Sequence, residues 1–292
     1  MGGALARHLV NKHSLTVLDL NSAVVASFEK LGASAARSAR ELARNCEIVL
    51  MCLPRSSDVE RVLFGPEGLA DGLSEGTIVI DQTSGIPEET RKFEQRLATL
   101  GASMLDAPVS GAMATAIAGT VSIIASGPKS VFEKAAPIMK DISSNVFYCG
   151  ERVGNGQTMK SVNNMMNAGC RLATLEAVAM GRRYGITLKA MTEALNHTMG
   201  RNFTTQGMLI AIAEGRQSTN FRLALQLKDE NQALSMGIAE GVPTPLSDIV
   251  RGILQIGVNT RGENAQLEEI IGVVESMAGT RFAPSPGPAQ QH

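Results

Sequence analysis

Short apolar runs rich in β-branched residues recur through the first half of the chain, at 16–19, 48–53, 77–81, 103–107, 121–125 and 146–149. Stretches of helical period lie between several of them, at 23–31, 58–64, 87–100 and 130–139. A run that is apolar along its whole length predicts a strand covered on both faces. Such strands alternating with helices predict a mainly parallel sheet between two helical layers. Pro87 suits a first helical position and Ser130 an N-cap. The later connections are shorter, which allows antiparallel pairing at one edge.

Beyond Gly150 the strand signals nearly stop, and helical patterns follow at 157–184, 188–196, 223–240, 246–258 and 267–277. Gly185, Gly241, Pro243 and Pro245 punctuate them. The 157–184 stretch is apolar on all sides and would reach about 40 Å at helical rise. It is expected to be a central helix buried between domains or subunits. The pattern therefore predicts an α/β domain, doubly wound and Rossmann-like, over 1–152, and an all-α domain over 153–282. Residues 283–292 are proline-rich and predicted disordered.

Composition narrows the class. The 292 residues carry a net charge of -1 with mixed signs, so no nucleic-acid or polyanion surface is expected. Cys46, Cys52, Cys149 and Cys170 stand singly, the first three in or beside apolar runs, and read as buried small hydrophobes in a reducing cytoplasm. The histidines form no ligand spacing, so no metal is expected. No apolar run is long enough to cross a bilayer, and no signal peptide opens the chain.

An α/β half followed by an α half directs attention to a dinucleotide fingerprint. Met1-Gly2-Gly3-Ala4 looks like the end of G-x-G-x-M-G, with Gly2 as the third glycine, which permits close helix–strand packing. The strand and two glycines that would precede it are not in this sequence, and a start assigned at an internal methionine is the expected explanation. Sequencing the natural N-terminus tests that expectation. Asp19 lies 17 residues beyond Gly2, near the spacing of an acid that binds the adenosine ribose hydroxyls. Such an acid repels a 2′-phosphate and favours NAD over NADP. The same residue would equally serve to end a strand in a turn.

The densest chemistry lies in Gly154-Asn155-Gly156-Gln157-Thr158-Met159-Lys160-Ser161-Val162-Asn163-Asn164. If this stretch is helical, Lys160 and Asn164 share a face. A lysine and a carboxamide aimed at one point can hold a hydroxyl and take its proton. On its own the stretch is only suggestive, since most lysines on helices are solvated surface charges. Two further stretches change that reading: Asp106-Ala107-Pro108-Val109-Ser110-Gly111-Ala112 and Phe221-Arg222-Leu223-Ala224-Leu225-Gln226-Leu227-Lys228-Asp229. Together with Met51-Cys52-Leu53-Pro54 and Asp81-Gln82-Thr83-Ser84, they resemble, in order, the motifs of the β-hydroxyacid dehydrogenases. That group contains the 3-hydroxyisobutyrate and tartronate semialdehyde dehydrogenases. Ala112 departs from the family's D-A-P-V-S-G-G and narrows the space a glycine would leave.

The resemblance implies NAD (or NADP) as cofactor, a small 3-hydroxy acid as substrate, and a homodimer or homotetramer joined through the helical half. It implies Lys160 as the catalytic lysine and Asn164 as its hydroxyl-holding partner. Ser110, Gly111 and Ala112 would receive the substrate carboxylate. Gly2, Asp19, Leu53, Pro54 and Ser84 (or Thr83) would line the cofactor, and Lys228 would close over it. Residues around Asn167, Arg171, Arg201, Phe203 and Leu234 would set the substrate side chain; Arg201 or Arg171 could favour a second carboxylate or phosphate, though a surface charge is the preferred reading of either. A 6-phosphogluconate dehydrogenase would be far longer and carry histidine at Asn163, and imine reductases usually lack the lysine. The alternative is a truncated, non-catalytic or non-cofactor-binding homologue.

Overall fold

The computed structural model describes residues 1–282, and the chain divides into two compact units, 1–160 and 161 onward. In the first unit, α1 (Gly2–Ala6) leads to β1 (Thr16–Val17), α2 (Ser22–Glu29) and β2 (Ser34–Ala35), and β1 pairs with β2 in parallel. Next come α3 (Ala39–Asn45), β3 (Ile48–Met51), α4 (Ser56–Phe64), β4 (Ile78–Asp81), α5 (Pro87–Ala98) and β5 (Ser103–Asp106). Strands β3, β4 and β5 form a parallel sheet in chain order, with Met51, Asp81 and Asp106 side by side in register. The unit closes with β6 (Val109–Ser110), α6 (Met113–Ile117), β7 (Ser122–Ala125), α7 (Lys129–Ile142) and β8 (Asn145–Tyr148). β7 pairs antiparallel with β6 and parallel with β8. A backbone bridge between Asp106 and Ser126 ties the two three-stranded sheets together.

The expected double cover is visible on a single strand. Ile78 and Ile80 of β4 enter a core with Leu5, Leu105 and Met139, whereas Val79 between them enters a second core with Val59, Phe93 and Leu97. Alternate side chains of a strand point to opposite faces, so one strand feeds both layers. The β1–β2 pair forms a separate sheet, and among the described residues no strand is hydrogen-bonded between β1 and β3.

The second unit is helical. α8 (Asn155–Arg183) begins in the first unit and continues into the second. It is followed by α9 (Leu188–Asn196), α10 (Phe203–Gln206), α11 (Met208–Ala213), α12 (Leu223–Ala239), α13 (Pro245–Arg261) and α14 (Ile270–Ala278). Leu172, Leu175, Leu209, Leu223, Leu254 and Ile270 belong to its core. The Thr187 side chain caps α9, and Asn202 and Thr205 make a capping box on α10.

Several expectations need correction. Ser130 is not an N-cap: α7 starts at Lys129, because extended Pro128 already sets the chain's entry, and it runs through Pro137 to Ile142. The three cysteines read as buried, Cys46, Cys52 and Cys149, are only half-buried, since they lie where elements end rather than within a core layer. Cys170 is exposed. Within the single chain, Met159, Met166 and Met180 of α8 are exposed. The elements β2, β6, α3, α6, α10 and α11 are short, two to seven residues each, too few to establish a period. The tail at 283–292 lies outside the described residues. No described helix is long and apolar enough to cross a membrane.

Candidate functional site

Three of the segments singled out in the first unit leave one edge of one sheet. β3, β4 and β5 run parallel, so Leu53-Pro54, Thr83-Ser84 and Asp106-Ala107 all follow their C-terminal ends. Open α/β sheets bind ligands at that edge. Leu53 donates its amide to the Thr83 hydroxyl at 3.0 Å, and the Thr83 amide reaches Asp81 Oδ1 at 2.9 Å. Thr83 is thus committed to bracing two loops. Ser84 is half-buried, whereas Thr83 is buried. Gly2 packs on the first of these loops: a Cβ there would lie 3.1 Å from Cys52 Cβ, tighter than ordinary contact. Asp19 falls two residues past β1, where it is exposed and its Oδ1 accepts the Asn21 amide at 2.8 Å. Close-packed glycine and apolar Leu53 and Pro54 give this edge a surface suited to flat rings, whereas Asp19 follows β1 in the separate two-stranded sheet.

Burial raises Asp81 from its ordinary 3.8 to about 7; hydrogen bonds from Thr83 oppose this, and the Asp106 carboxyl adds a little. The native state then holds a proton that the unfolded chain releases, so stability falls as pH rises from about 4 to about 7. Asp81→Asn keeps the acceptor for Thr83 and removes the charge. Denaturant unfolding at both ends of that window should show the variant losing less stability on the way up, by on the order of 3 kcal/mol. Equal losses in parent and variant would rule out a buried, proton-retaining Asp81.

Asp106 has a different task. Its Oδ1 accepts the Gly154 amide at 2.7 Å and the Ser126 hydroxyl, and its Oδ2 accepts the Gln157 amide at 2.8 Å. The Ser126 hydroxyl in turn accepts the Gly156 amide at 2.8 Å. Three otherwise orphaned donors at the start of α8 are therefore satisfied from β5 and the end of β7. An anion at that position also complements the helix dipole. The Gln157 side chain adds two bonds, accepting from the Gly85 amide at 2.8 Å and donating to Thr83 O at 2.7 Å. Both glycines of the stretch have a geometric cause. Gly154 sits at φ +93°, and a Cβ on Gly156 would lie 2.3 Å from Ile124 O. Lys160 is half-buried and follows Gln157 by about one turn, so its base is fixed by this anchor.

The Ser110 stretch turns sharply after β6. Gly111 has φ +154°, and a Cβ there would lie 2.5 Å from Thr115 Oγ1. Ala112 has φ -90° and is exposed, so its methyl is accommodated without strain and the departure from glycine leaves the turn intact. Ser110 itself is half-buried.

In the second unit, Asn164 Nδ2 donates to Asp229 Oδ2 at 2.9 Å, and Asn164 Oδ1 accepts from Asn163 Nδ2 at 3.1 Å. A carboxylate can only accept, so this contact fixes which way the amide faces. Asp229 also pairs with Lys228 Nζ at 3.1 Å. Asp229, the last residue of the Phe221–Asp229 stretch, was given no role in the sequence reading, and the structure makes it the partner of Asn164. Along α8, Lys160 and Asn164 stand four residues apart on one face. Of the residues considered for the substrate side chain, Arg201 and Phe203 are exposed and Leu234 is buried. Arg171, expected at the surface, is buried. It stands seven residues beyond half-buried Asn164, on the same face of α8.

Comparison with known proteins agrees with this layout. Residues 1–150 match the NAD binding domain of 6-phosphogluconate dehydrogenase, and 154–274 match the NAD-binding domain of NADP-dependent 3-hydroxyisobutyrate dehydrogenase. The chain is 31% identical to a 3-hydroxyisobutyrate dehydrogenase of Pseudomonas aeruginosa, over 92% of each chain. It is 32% identical to a 2-(hydroxymethyl)glutarate dehydrogenase of Eubacterium barkeri, over 96% of this chain and 93% of that one. A solved 3-hydroxyisobutyrate dehydrogenase of Mycobacterium tuberculosis shares the fold, with TM-score 0.86 at 22% identity over 94% and 95% of the two chains. Sequence, sheet edge and helical unit together place the chain in the β-hydroxyacid dehydrogenase family of NAD(P)-dependent oxidoreductases.

Proposed function

We propose that this chain interconverts a small 3-hydroxy acid and its carbonyl form, with Lys160 as the acid/base and NAD as the preferred cofactor. The observation that carries this reading is the fixed Asn164 amide, held by Asp229 at 2.9 Å one turn beyond Lys160. The second hydrogen of Asn164 Nδ2 is available to the substrate hydroxyl oxygen, which leaves the hydroxyl proton to neutral Lys160. In the reverse direction the ammonium form of Lys160 polarises the carbonyl and returns the proton. The bound nicotinamide supplies the hydride acceptor or donor. Ser110 and the amides of Gly111 and Ala112 bind the carboxylate and set the substrate's register. Leu53, Pro54 and Ser84 hold the nicotinamide side and Gly2 and Asp19 the adenosine side, and Lys228 is assigned to the cofactor by its place in the Phe221–Asp229 motif. An acid at Asp19 disfavours a 2′-phosphate and so supports NAD.

The named substrates of the two relatives, 3-hydroxyisobutyrate and 2-(hydroxymethyl)glutarate, both place a hydroxyl β to a carboxylate. That supports the substrate class. Exposed Met166, Met180 and Tyr184 support association into a homodimer or homotetramer through the helical unit. Four free cysteines support a cytoplasmic setting. Fluorescence titration with NADH, followed by turnover on a panel of 3-hydroxy acids, tests the reading. Saturable NADH binding with no turnover of any member would leave the non-catalytic alternative. Ser110→Ala should raise KM by roughly tenfold, equivalent to one hydrogen bond to a charged group, with kcat little changed. An unaltered KM would remove Ser110 from the carboxylate site.

A further inference from the structure

The polar face that carries Asn164 runs on into the helical unit. Asn164, Asn167 and Arg171 follow one another on α8 at spacings of three and four, which puts them on one face. The face deepens along the way: Asn164 and Asn167 are half-buried, whereas Arg171 is 5% exposed. α12 supplies the opposite wall. Its Asp229 accepts from Asn164 at 2.9 Å, and Gln226 Oε1, about one turn earlier, accepts from Arg171 Nη1 at 3.3 Å. A long helical side chain leans towards the N-terminus of its own helix, so the guanidinium reaches back from residue 171 towards Asn164. Three residues of α12 separate the two contacts, about 4.5 Å along that helix.

Arg171 has no counter-ion. Among the described residues no carboxylate pairs with it, and its hydrogen bond goes to a neutral amide. Burial alone acts on its titration, lowering it to about 10, so it remains a cation at neutral pH. A buried charge without a partner is a poor way to fill a core, since an apolar side chain would occupy the same space at less cost. Nε is buried and unbonded, and with Nη1 engaged by Gln226 the Nε–Nη2 edge makes no bond. That edge is a fork able to hold a carboxylate through two parallel hydrogen bonds. Gln226 Nε2, a second buried donor without a bond, belongs to the amide that Arg171 contacts. Asn167 Oδ1 is unbonded on the same face, and a half-turn of that amide presents its NH₂ instead. An unmatched cation and a spare amide donor thus form the floor of the face whose mouth carries Asn164.

We propose that Arg171 and Gln226 receive a second carboxylate of the substrate, which makes the chain selective for 3-hydroxy diacids over 3-hydroxy monoacids. This rests on the role given above to Asn164 as the holder of the substrate hydroxyl. The first carboxylate stays with the Ser110 stretch, and an arm of two methylenes bridges a gap of the size between the Asn164 and Gln226 contacts.

Two substrates that differ only at the end of that arm test it: 2-(hydroxymethyl)glutarate, and 2-(hydroxymethyl)butanoate, in which hydrogen replaces the second carboxylate. The parent should show a kcat/KM for the diacid higher by roughly 30-fold or more, as hydrogen bonds to a charged group supply. Arg171→Met should lose that advantage, chiefly through KM, and keep its rate on the monoacid within about twofold. Arg171→Lys, which keeps the charge without the fork, should fall between. A parent equally active on both substrates, or a loss in Arg171→Met that is the same for both, would overturn the proposal. If Arg171→Met does not fold, Arg171→Lys decides, and an undiminished diacid preference there overturns it. Melting curves give a readout that needs no turnover. Saturating glutarate should raise the Tm of the parent by a few degrees and leave Arg171→Met or Arg171→Lys less protected, while butanoate should protect none of them. That Arg171-dependent rise in a chain that turns over no 3-hydroxy acid would remove the proposed reaction and keep the carboxylate site. Turnover of the monoacid with neither a diacid preference nor such a rise would remove the site and keep the reaction.

Discussion

Replacing Lys160 with alanine should lower kcat by roughly 10²–10⁴-fold, the range that a positioned acid/base supplies. NADH affinity, read by fluorescence titration, should stay near that of the parent. The separation is expected because the anchor of α8 lies upstream of Lys160. Asp106 and Ser126 bond Gly154, Gly156 and Gln157, and truncating Lys160 removes none of those contacts. Lys160→Arg should be as inactive as the alanine variant, since guanidinium does not release its proton near neutrality. Arginine therefore separates a need for the proton from a need for positive charge. Substantial turnover in Lys160→Ala would move the acid/base role to another residue; turnover retained only in Lys160→Arg would leave Lys160 as a charge.

The second large effect concerns folding. Gly156→Ala should destabilise the chain by roughly 3 kcal/mol or more, because the new methyl overpacks a filled site. Its Cβ would meet Ile124 O at 2.3 Å and Asp106 Oδ2 at 2.8 Å. Neither atom belongs to a flexible side-chain end. Ile124 O is strand backbone in β7, and the Asp106 carboxylate is held by three donors. The drop in Tm should be on the order of 6–12 °C by calorimetry. The same helix supplies a control. Gly169 in α8 has nothing within 4 Å of an added Cβ, so Gly169→Ala should be neutral or stabilising by about 0.5–1 kcal/mol. If both variants melt alike, steric exclusion at Gly156 is not the reason for the glycine.

These two experiments bear on different layers of what the chain encodes. The need for glycine at 154 and 156 and for lysine at 160 is written in one continuous stretch. What the glycines are pressed against is not, since Asp106 lies 48 residues before Gly154 and Ile124 belongs to another strand.

Much of the architecture was legible in the sequence for a simple reason. Whole-length apolar runs and helical periods report directly which positions are buried, so the parallel sheet and the helical second half could be read without coordinates, whereas the antiparallel edge was allowed by the short connections but its two-residue strand β6 was not foreseen. The ordered motifs likewise placed the family. Elements of two to seven residues escaped, because a period needs more positions than they have. Tertiary structure alone decided the partners of polar groups. It made Asp106 the anchor of α8, committed Thr83 to loop bracing, and showed Ala112 unstrained at a negative φ. It also put Asp229 on Asn164 and carried Arg171 from an expected surface into the interior. The physical division is that burial of apolar side chains is periodic and local, whereas a buried polar group is satisfied by whatever distant donor or acceptor the topology brings within about 3 Å.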